Sequence, residues 1–476
     1  MIIEEYSNYD GLGLADLVRR KDVTPEELLD EAISRTEKVD PEINAVVIKH
    51  YDFAKRQISG GLPEGPFTGA PFLLKDITTL AGTRTTYGSS AYRDYVADHN
   101  STIVERLLKT GVTIFGKTAV PEFGALGTTE SRLHGPTRNP WNLAYSAGGS
   151  SGGAAAAVAA RIVPVAHASD SGGSTRIPAS VCGLFGLKPT RARTPIGPNK
   201  GLGWTSLVDC PHVISVSVRD SAAMLDALSG PELTSPYYAP PAEGAFLNEV
   251  GRNPGRLRIA FSSKSPYGDD LDPEITNAVR EVASLLERLG HDVEERAPTL
   301  TFDPIEVGEV INGANLVASA VRAAEGRLGR PMTESDLEVL TLLRAHNAQT
   351  GTAIDYVTAE QSVFEICRCL IEFFTTCEVF LCPTLCDSPI RIGELDSMSA
   401  DLSHIQAARR RVWPMPLVFN MSGQPSMSMP LAWHKSGLPM GMMFSGRFGD
   451  EATLLRLAGQ LEQARPWKSK MPPHHA

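Results

Sequence analysis

The chain has 476 residues, 42% hydrophobic and 21% charged, which is ordinary usage for a folded protein and far from the apolar-poor composition of disordered chains. A formal net charge of -10 argues against a polyanionic partner, because nucleic-acid binding rests on lysine and arginine neutralising phosphates, so a small-molecule ligand is expected instead. No apolar run approaches the roughly 20 residues that span a bilayer, and Met1 to Tyr6, with Glu4 and Glu5, lacks the basic and apolar regions of a signal peptide. The expectation is a cytoplasmic protein with no membrane partner.

In chain order, the first sixty residues read as helical: Thr24-Pro25-Glu26-Glu27 is an N-terminal cap signal, and Leu28, Leu29 and Ile33 form an apolar stripe at helical spacing. A Gly/Pro-rich loop from Ser59 to Pro66 leads to Pro71-Phe72-Leu73-Leu74, a short buried strand that ends at Lys75. An amphipathic helix from Ser101 to Lys109 follows, closed by Gly111, and then the strand-like Val112-Thr113-Ile114-Phe115. Gly111 to Thr118 matches the phosphate-binding pattern G-x4-G-K-[ST]. That motif requires a strand before its first glycine and a helix after its lysine, whereas here a helix precedes and Pro121 follows, which excludes a P-loop NTPase.

A Gly-rich centre from Gly148 to Gly186 contains the run Ala154 to Ala160, whose small side chains let a buried helix approach its neighbours closely. Beyond it, strand Leu257 to Phe261, helix Pro273 to Leu289 and strand Asp292 to Glu294 continue an alternating α/β pattern. A mostly helical stretch from about Pro304 to Phe374 interrupts it, and Val379 to Leu381 resumes the sheet. Five of seven cysteines crowd between Cys367 and Cys386, without the paired C-x2-C spacing of zinc sites, so no metal is expected. Met427/Met429 and Met440/Met442, two apart, read as core-facing strand positions.

The chemistry-bearing segments are Gly148-Gly149-Ser150-Ser151-Gly152-Gly153, then Asp170-Ser171-Gly172-Gly173-Ser174-Thr175-Arg176, then Cys182 to Thr190. Lys75 lies 75 residues before Ser150, and Ser174 lies 24 after it. This arrangement resembles the amidase signature family, in which a Gly/Ser-rich segment supplies nucleophile and relay and an upstream lysine supplies the base. The resemblance runs from about Leu14 to Leu461 and includes Thr137-Arg138-Asn139-Pro140-Trp141-Asn142 and Asn420-Met421-Ser422-Gly423-Gln424-Pro425. Through Pro41 to Val46 and Pro164 to His167 it is similar to the branch of 6-aminohexanoate cyclic-dimer hydrolases and urethane-cleaving amidases. It implies one domain over residues 1–476, an α/β/α sandwich with a large mixed sheet covered by helices, and a helical segment at about 304–374 on the substrate side. It also implies a cis peptide between Gly149 and Ser150.

By that resemblance Ser174 is the nucleophile, Ser150 the proton relay and Lys75 the base, which must be neutral, a state favoured by burial at the end of an apolar strand. Backbone N–H groups of Ser171, Gly172, Gly173 and Ser174 are expected to form the oxyanion hole, and Gly124, Ala125 and Ser150 to contact substrate. Ser151 is expected to support its helix, and Asp170 and Arg176 to brace the nucleophile loop. His167 lies near Ser174, but no G-x-S-x-G elbow surrounds that serine, so a core histidine is expected rather than a triad base. Neither Glu122 to Gly127 nor Pro304 to Phe374 shows an obvious charged selector, so neutral amides, anilides or carbamates are the expected substrates. No cofactor is expected, and the protein should be a monomer or homodimer. A glutamine-hydrolysing subunit of a tRNA-dependent amidotransferase shares the serine–lysine core and would need partner subunits. A non-catalytic amidase-like module sits poorly with an intact Lys75, Ser150 and Ser174.

Overall fold

The computed structural model describes residues 5–198, 208–233 and 235–476. Near its start, α1 (Gly11–Arg19) opens on Asp10, whose carboxylate accepts from Gly13 N–H. Helix α2 (Pro25–Ile43) opens on a reciprocal cap in which Thr24 accepts from Glu27 N–H and Glu27 accepts from Thr24 N–H. The first sixty residues are not wholly helical: β1 (Val46–Lys49) precedes α3 (Tyr51–Ser59). That strand exists because it pairs antiparallel with β3 (Thr113–Thr118), which in turn pairs in parallel with β2 (Pro71–Lys75). Between them α4 (Thr102–Lys109) takes the predicted helical place. Lys75 therefore belongs to a three-stranded sheet of its own.

After four short strands, β4 (Glu130–Ser131) to β7 (Asn142–Ser146), the Ala-rich α5 (Gly152–Ala159) is buried along its whole length. It packs on β2, β3 and β8 (Val165–Asp170). Gly153 permits this approach, since a Cβ there would stand 2.3 Å from Ala119 N and 2.7 Å from Ala45 O. Then come α6 (Arg176–Cys182), β9 (Phe185–Lys188), β10 (Cys210–Ser215), α7 (Val218–Leu228), β11 (Arg258–Phe261), α8 (Pro273–Arg288) and β12 (Asp292–Glu295). The helical stretch comprises α9 (Pro304–Asn312), a π-helical turn at Gly313–Ala318, α10 (Ser319–Leu328), α11 (Val339–Thr350) and α12 (Ala353–Phe373). The chain closes with β13 (Val379–Pro383), α13 (Leu402–Val412), α14 (Pro414–Ser422), β14 (Ser426–Trp433), β15 (Pro439–Gly446) and α15 (Glu451–Ala464).

Eight strands form a mixed sheet in the order β12-β11-β13-β15-β14-β9-β10-β8, parallel among β12, β11 and β13 and antiparallel elsewhere. Alternate residues face two helical layers, as the period of two demands. Ile259, Val379, Leu381, Met427, Met429 and Met442 pack with α7, α8 and α15, while Ala260, Phe380, Cys382 and Met443 pack with α9, α12 and α14. This is the sandwich that the sequence led us to expect. The strand-face reading of Met427, Met429 and Met442 holds, whereas Met440 is only partly buried.

The P-loop match dissolves into this frame. Its residues Thr113 to Thr118 are strand β3, and Lys117 Nζ donates to Thr78 O at 3.0 Å and to Thr85 Oγ1. All seven cysteines are free thiols, with Cys377, Cys382 and Cys386 buried. Among the described residues no helix is long and apolar enough to cross a membrane.

Candidate active site

Three separate elements deliver the expected catalytic side chains. Strand β2 ends at Lys75, which is fully buried, and its Nζ lies 2.8 Å from Ser150 Oγ, 3.2 Å from Ser169 O and 3.1 Å from Ser169 Oγ. The Lys75 amine thus has the hydroxyls of Ser150 and Ser169 and the Ser169 carbonyl within hydrogen-bonding distance. Ser169 was absent from the sequence reading; its only signal is its place one residue before Asp170 on β8. The backbone N–H of Lys75 donates to His167 Nδ1 at 3.4 Å, so the histidine is a core residue holding the strand that carries Lys75.

Ser150 occupies the turn between β7 and α5, and the Gly149–Ser150 peptide is cis. Gly124, at φ +70°, is packed so closely that a Cβ on it would lie 3.3 Å from Ser150 Oγ. Ser151 N–H donates to Ser174 O at 3.2 Å, and Ser151 Oγ donates to Ser169 O at 3.3 Å. Ser151 thus ties the two serine segments together, and its side chain makes no cap on α5. Among the described residues no hydrogen bond joins Ser174 Oγ to Ser150 Oγ; the Lys75–Ser150 link is direct, and the backbone bond to Ser174 comes from Ser151.

The loop that carries Ser174 is held by a buried carboxylate. Asp170 receives Arg176 Nε and Nη2, each at 2.9 Å, along with Gly173 N–H at 2.6 Å and Thr175 N–H at 3.1 Å. Asn420, from the motif near the C-terminus, adds Nδ2 bonds to Asp170 O at 2.8 Å and Oδ1 at 2.9 Å. Burial alone would raise the Asp170 pKa, but Arg176, Asn420 and Lys188 together hold it below the ordinary carboxylate range. The bracing role expected of Asp170 and Arg176 is what the structure shows. Of the four amides expected to face an oxyanion, the Gly173 N–H donates to Asp170. Among the described residues the amides of Ser171, Gly172 and Ser174 have no protein acceptor.

Ser171, Gly172 and Ser174 line a cleft together with Gly124, Ala125 and Gly149. The opposite wall comes from α9, α11, α13 and the π-helical turn, whose Gly313, Leu316 and Val317 face the opening. Single-turn π-helices recur at functional sites. Charged residues are also present, contrary to the reading that found no selector: Glu309, Arg344 and Arg409 all line the cleft. They come from three different helices, and nothing in their local sequence marks them as neighbours. Among the described residues, no group of three or more His, Cys, Asp or Glu side chains is placed to hold a metal ion.

The family model for amidases matches residues 27–455. The chain belongs to the amidase signature family. It is 36% identical over 479 aligned positions to the 6-aminohexanoate-cyclic-dimer hydrolase of Paenarthrobacter ureafaciens, covering 97% of this chain and 96% of the relative. A solved structure of a 6-aminohexanoate cyclic dimer hydrolase superposes with a TM-score of 0.93 at 35% identity over 98% of both chains. A bacterial aryl acylamidase of the same family superposes with a TM-score of 0.86 at 26% identity over 96% of both. Membership makes the chain a hydrolase acting on amide bonds.

Proposed function

We propose that this amidase cleaves the C–N bond of amides, anilides or carbamates through an acyl-enzyme on Ser174, with Ser150 as relay and Lys75 as base. The observation that carries the reading is the buried Lys75 Nζ set 2.8 Å from Ser150 Oγ with Ser169 occupying its other side. As Ser174 Oγ attacks the carbonyl carbon, its proton passes to Ser150, whose own proton passes to Lys75. The carbonyl oxygen becomes an anion facing the amides of Gly172 and Ser174, with Ser171 beside them. Collapse breaks the C–N bond, and the proton returns through Ser150 to the departing nitrogen. Water then attacks the ester by the same route and frees Ser174.

The test pairs a fluorophosphonate probe with a hydrolysis screen over aliphatic amides, anilides, carbamates and esters. Labelling at Ser174 and its loss in Ser174→Ala, together with turnover falling below a few percent of wild type (~10⁻² or less), are the expected results. A folded Ser174→Ala protein that keeps its activity would defeat the nucleophile assignment.

A further inference from the structure

Three consecutive arginines of α13 differ in how their charge is met. Arg410 Nε lies 2.7 Å from Asp303 and its Nη2 also meets Glu306. Arg411 lies 2.6 Å from Asp387 and 3.0 Å from Glu394. Each has two carboxylates. Arg409, which faces the cleft, has among the described residues only Glu309, and Glu309 is shared with Arg344, whose Nε stands 2.8 Å and Nη2 3.0 Å away. Two guanidinium groups on one carboxylate leave one formal positive charge inside the cleft that holds Ser174.

The further carboxylates nearby, Asp303 and Glu306, are engaged by Arg410 rather than by the pair on Glu309. The side chains of Arg344, Arg409 and Glu309 are 5%, 14% and 17% exposed, and Ile305, Leu316 and Trp413 supply apolar wall around them. Arg344 spends its other Nη on Ala125 O at 2.9 Å, whereas Arg409 places one N–H on Glu309 and, among the described residues, has no acceptor for Nε or Nη2. Burial, opposed by Glu309, pulls the Arg409 pKa below its ordinary value, as expected of a cation short of counter-charge. A guanidinium with a free edge is suited to a carboxylate, which it can receive through two parallel hydrogen bonds.

We propose that Arg409, backed by Glu309 and Arg344, is a carboxylate-binding subsite, so that preferred substrates are amides or carbamates bearing one carboxylate on an apolar arm. The inference rests on the amidase reading and narrows its substrate class. A substrate carboxylate brings the cluster to two cations and two anions. The arm is either the acyl part or the amine part of the substrate, and the two are separable by experiment.

Two matched pairs test this: adipic acid mono-p-nitroanilide against heptanoyl p-nitroanilide for the acyl arm, and N-acetyl-6-aminohexanoate against N-hexylacetamide for the amine arm. In wild type at least one carboxylate compound should exceed its neutral partner in kcat/KM by about tenfold or more, the scale of a charge-assisted hydrogen bond. Arg409→Gln should bring that ratio to about one. Glu309→Gln, which removes the anion and leaves both arginines, should raise the ratio. A merely structural ion network would instead lower both members of a pair equally in both variants, and that result overturns the subsite. Should Arg409→Gln fail to fold, inhibition of the wild type by hexanoate against hexanol gives the same answer, with hexanoate expected to bind about tenfold more tightly or better. Hydrolysis of the neutral compounds with a ratio near one in both pairs overturns the subsite and leaves the amidase reading intact. Failure to hydrolyse any of the four, with no fluorophosphonate labelling of Ser174, would overturn the amidase reading and the subsite with it.

Discussion

Two fully buried lysines stand at the ends of neighbouring parallel strands, Lys75 on β2 and Lys117 on β3, and they are turned to opposite faces. Leu74 pairs with Lys117 and Lys75 with Thr118, so the pleat sends the two amines apart. Lys75 meets the hydroxyls of Ser150 and Ser169 and a carbonyl. Lys117 meets Thr78, Thr85 and, at 4.0 Å, the carboxylate of Asp76. Burial lowers the Lys117 pKa to about 8, with Asp76 opposing, and burial raises the Asp76 pKa to about 6 against the pull of Lys117 and Thr86. The neighbours therefore assign the roles. A lysine beside a carboxylate gains a counter-ion and serves the fold, while one beside a serine hydroxyl is suited to the proton transfer proposed for Lys75. The chain does turn sharply after Lys75, with Ile77 N–H on Lys75 O at 2.8 Å, yet Asp76 is directed to Thr86 and Lys117.

The contrast breaks most visibly in activity. Lys75→Ala should lower kcat/KM for an anilide by about 10²–10⁴ while the fold survives, the usual range for removing a general base. Its loss on a matched ester should be smaller, because an alkoxide needs less help in leaving than an amine that must be protonated. Equal losses on both substrates would take Lys75 out of the proton path. Lys117→Met should do the reverse: turnover per folded molecule stays close to wild type, but the orphaned Asp76 costs about 3–5 kcal/mol of stability in denaturant unfolding. The double variant Asp76→Asn/Lys117→Met should recover most of that loss.

The same contrast applies to the two carboxylates. Asp170 has a bidentate guanidinium, an asparagine and three backbone amides, so its charge is stabilised, whereas Asp76 has a lysine at 4.0 Å and Thr86. Asp170→Asn should therefore destabilise the protein by about 3–5 kcal/mol and lower activity as the Ser174 loop loosens, with Asp76→Asn costing clearly less. Thermal melts and kcat/KM on the two variants check the order; an Asp76→Asn variant that is the less stable of the two would reverse it.

What the sequence made legible was local or carried by motif spacing. The Thr24 cap, the strand ending at Lys75, the α8 boundaries and the failure of the P-loop pattern all depend on residues within a few positions of one another. Lys75 and Ser150 meet as their spacing implied, and Asp170 and Arg176 brace as expected. Strand β1 escaped because four residues carry little periodicity and its partner β3 lies some seventy residues on. The Gly173 bond to Asp170 was not legible, because a glycine run shows where backbone can approach and not which N–H meets a partner. Glu309, Arg344 and Arg409 were invisible as a group: each reads as an ordinary helix-surface charge until tertiary packing sets α9, α11 and α13 around one cleft.

The smallest expected effect is on the pH dependence of stability, and it discriminates between the lysines without any substrate. Asp76 has a folded pKa of about 6, above its ordinary 3.8, so between those values the native state binds the extra proton. Its contribution to stability is fully present below pH 3.8 and is lost as pH rises through 6. Lys117 has a folded pKa of about 8, below its ordinary 10.5, so between those values the unfolded state binds the extra proton. Its contribution is present above pH 10.5 and is lost as pH falls through 8. Both contributions are therefore at their lowest between about pH 6 and 8, where the pair is doubly charged and buried. In Asp76→Asn/Lys117→Met neither group titrates, so the difference in stability between variant and wild type should be least unfavourable to the variant in that window, and the variant's profile should be flatter on both sides of it. Urea unfolding at pH 5, 7 and 9 on the two proteins measures this. A difference that does not change with pH would mean that the Asp76–Lys117 pair ionises in the native state as it does in the unfolded chain, and burial would then not separate its behaviour from that of a solvated pair.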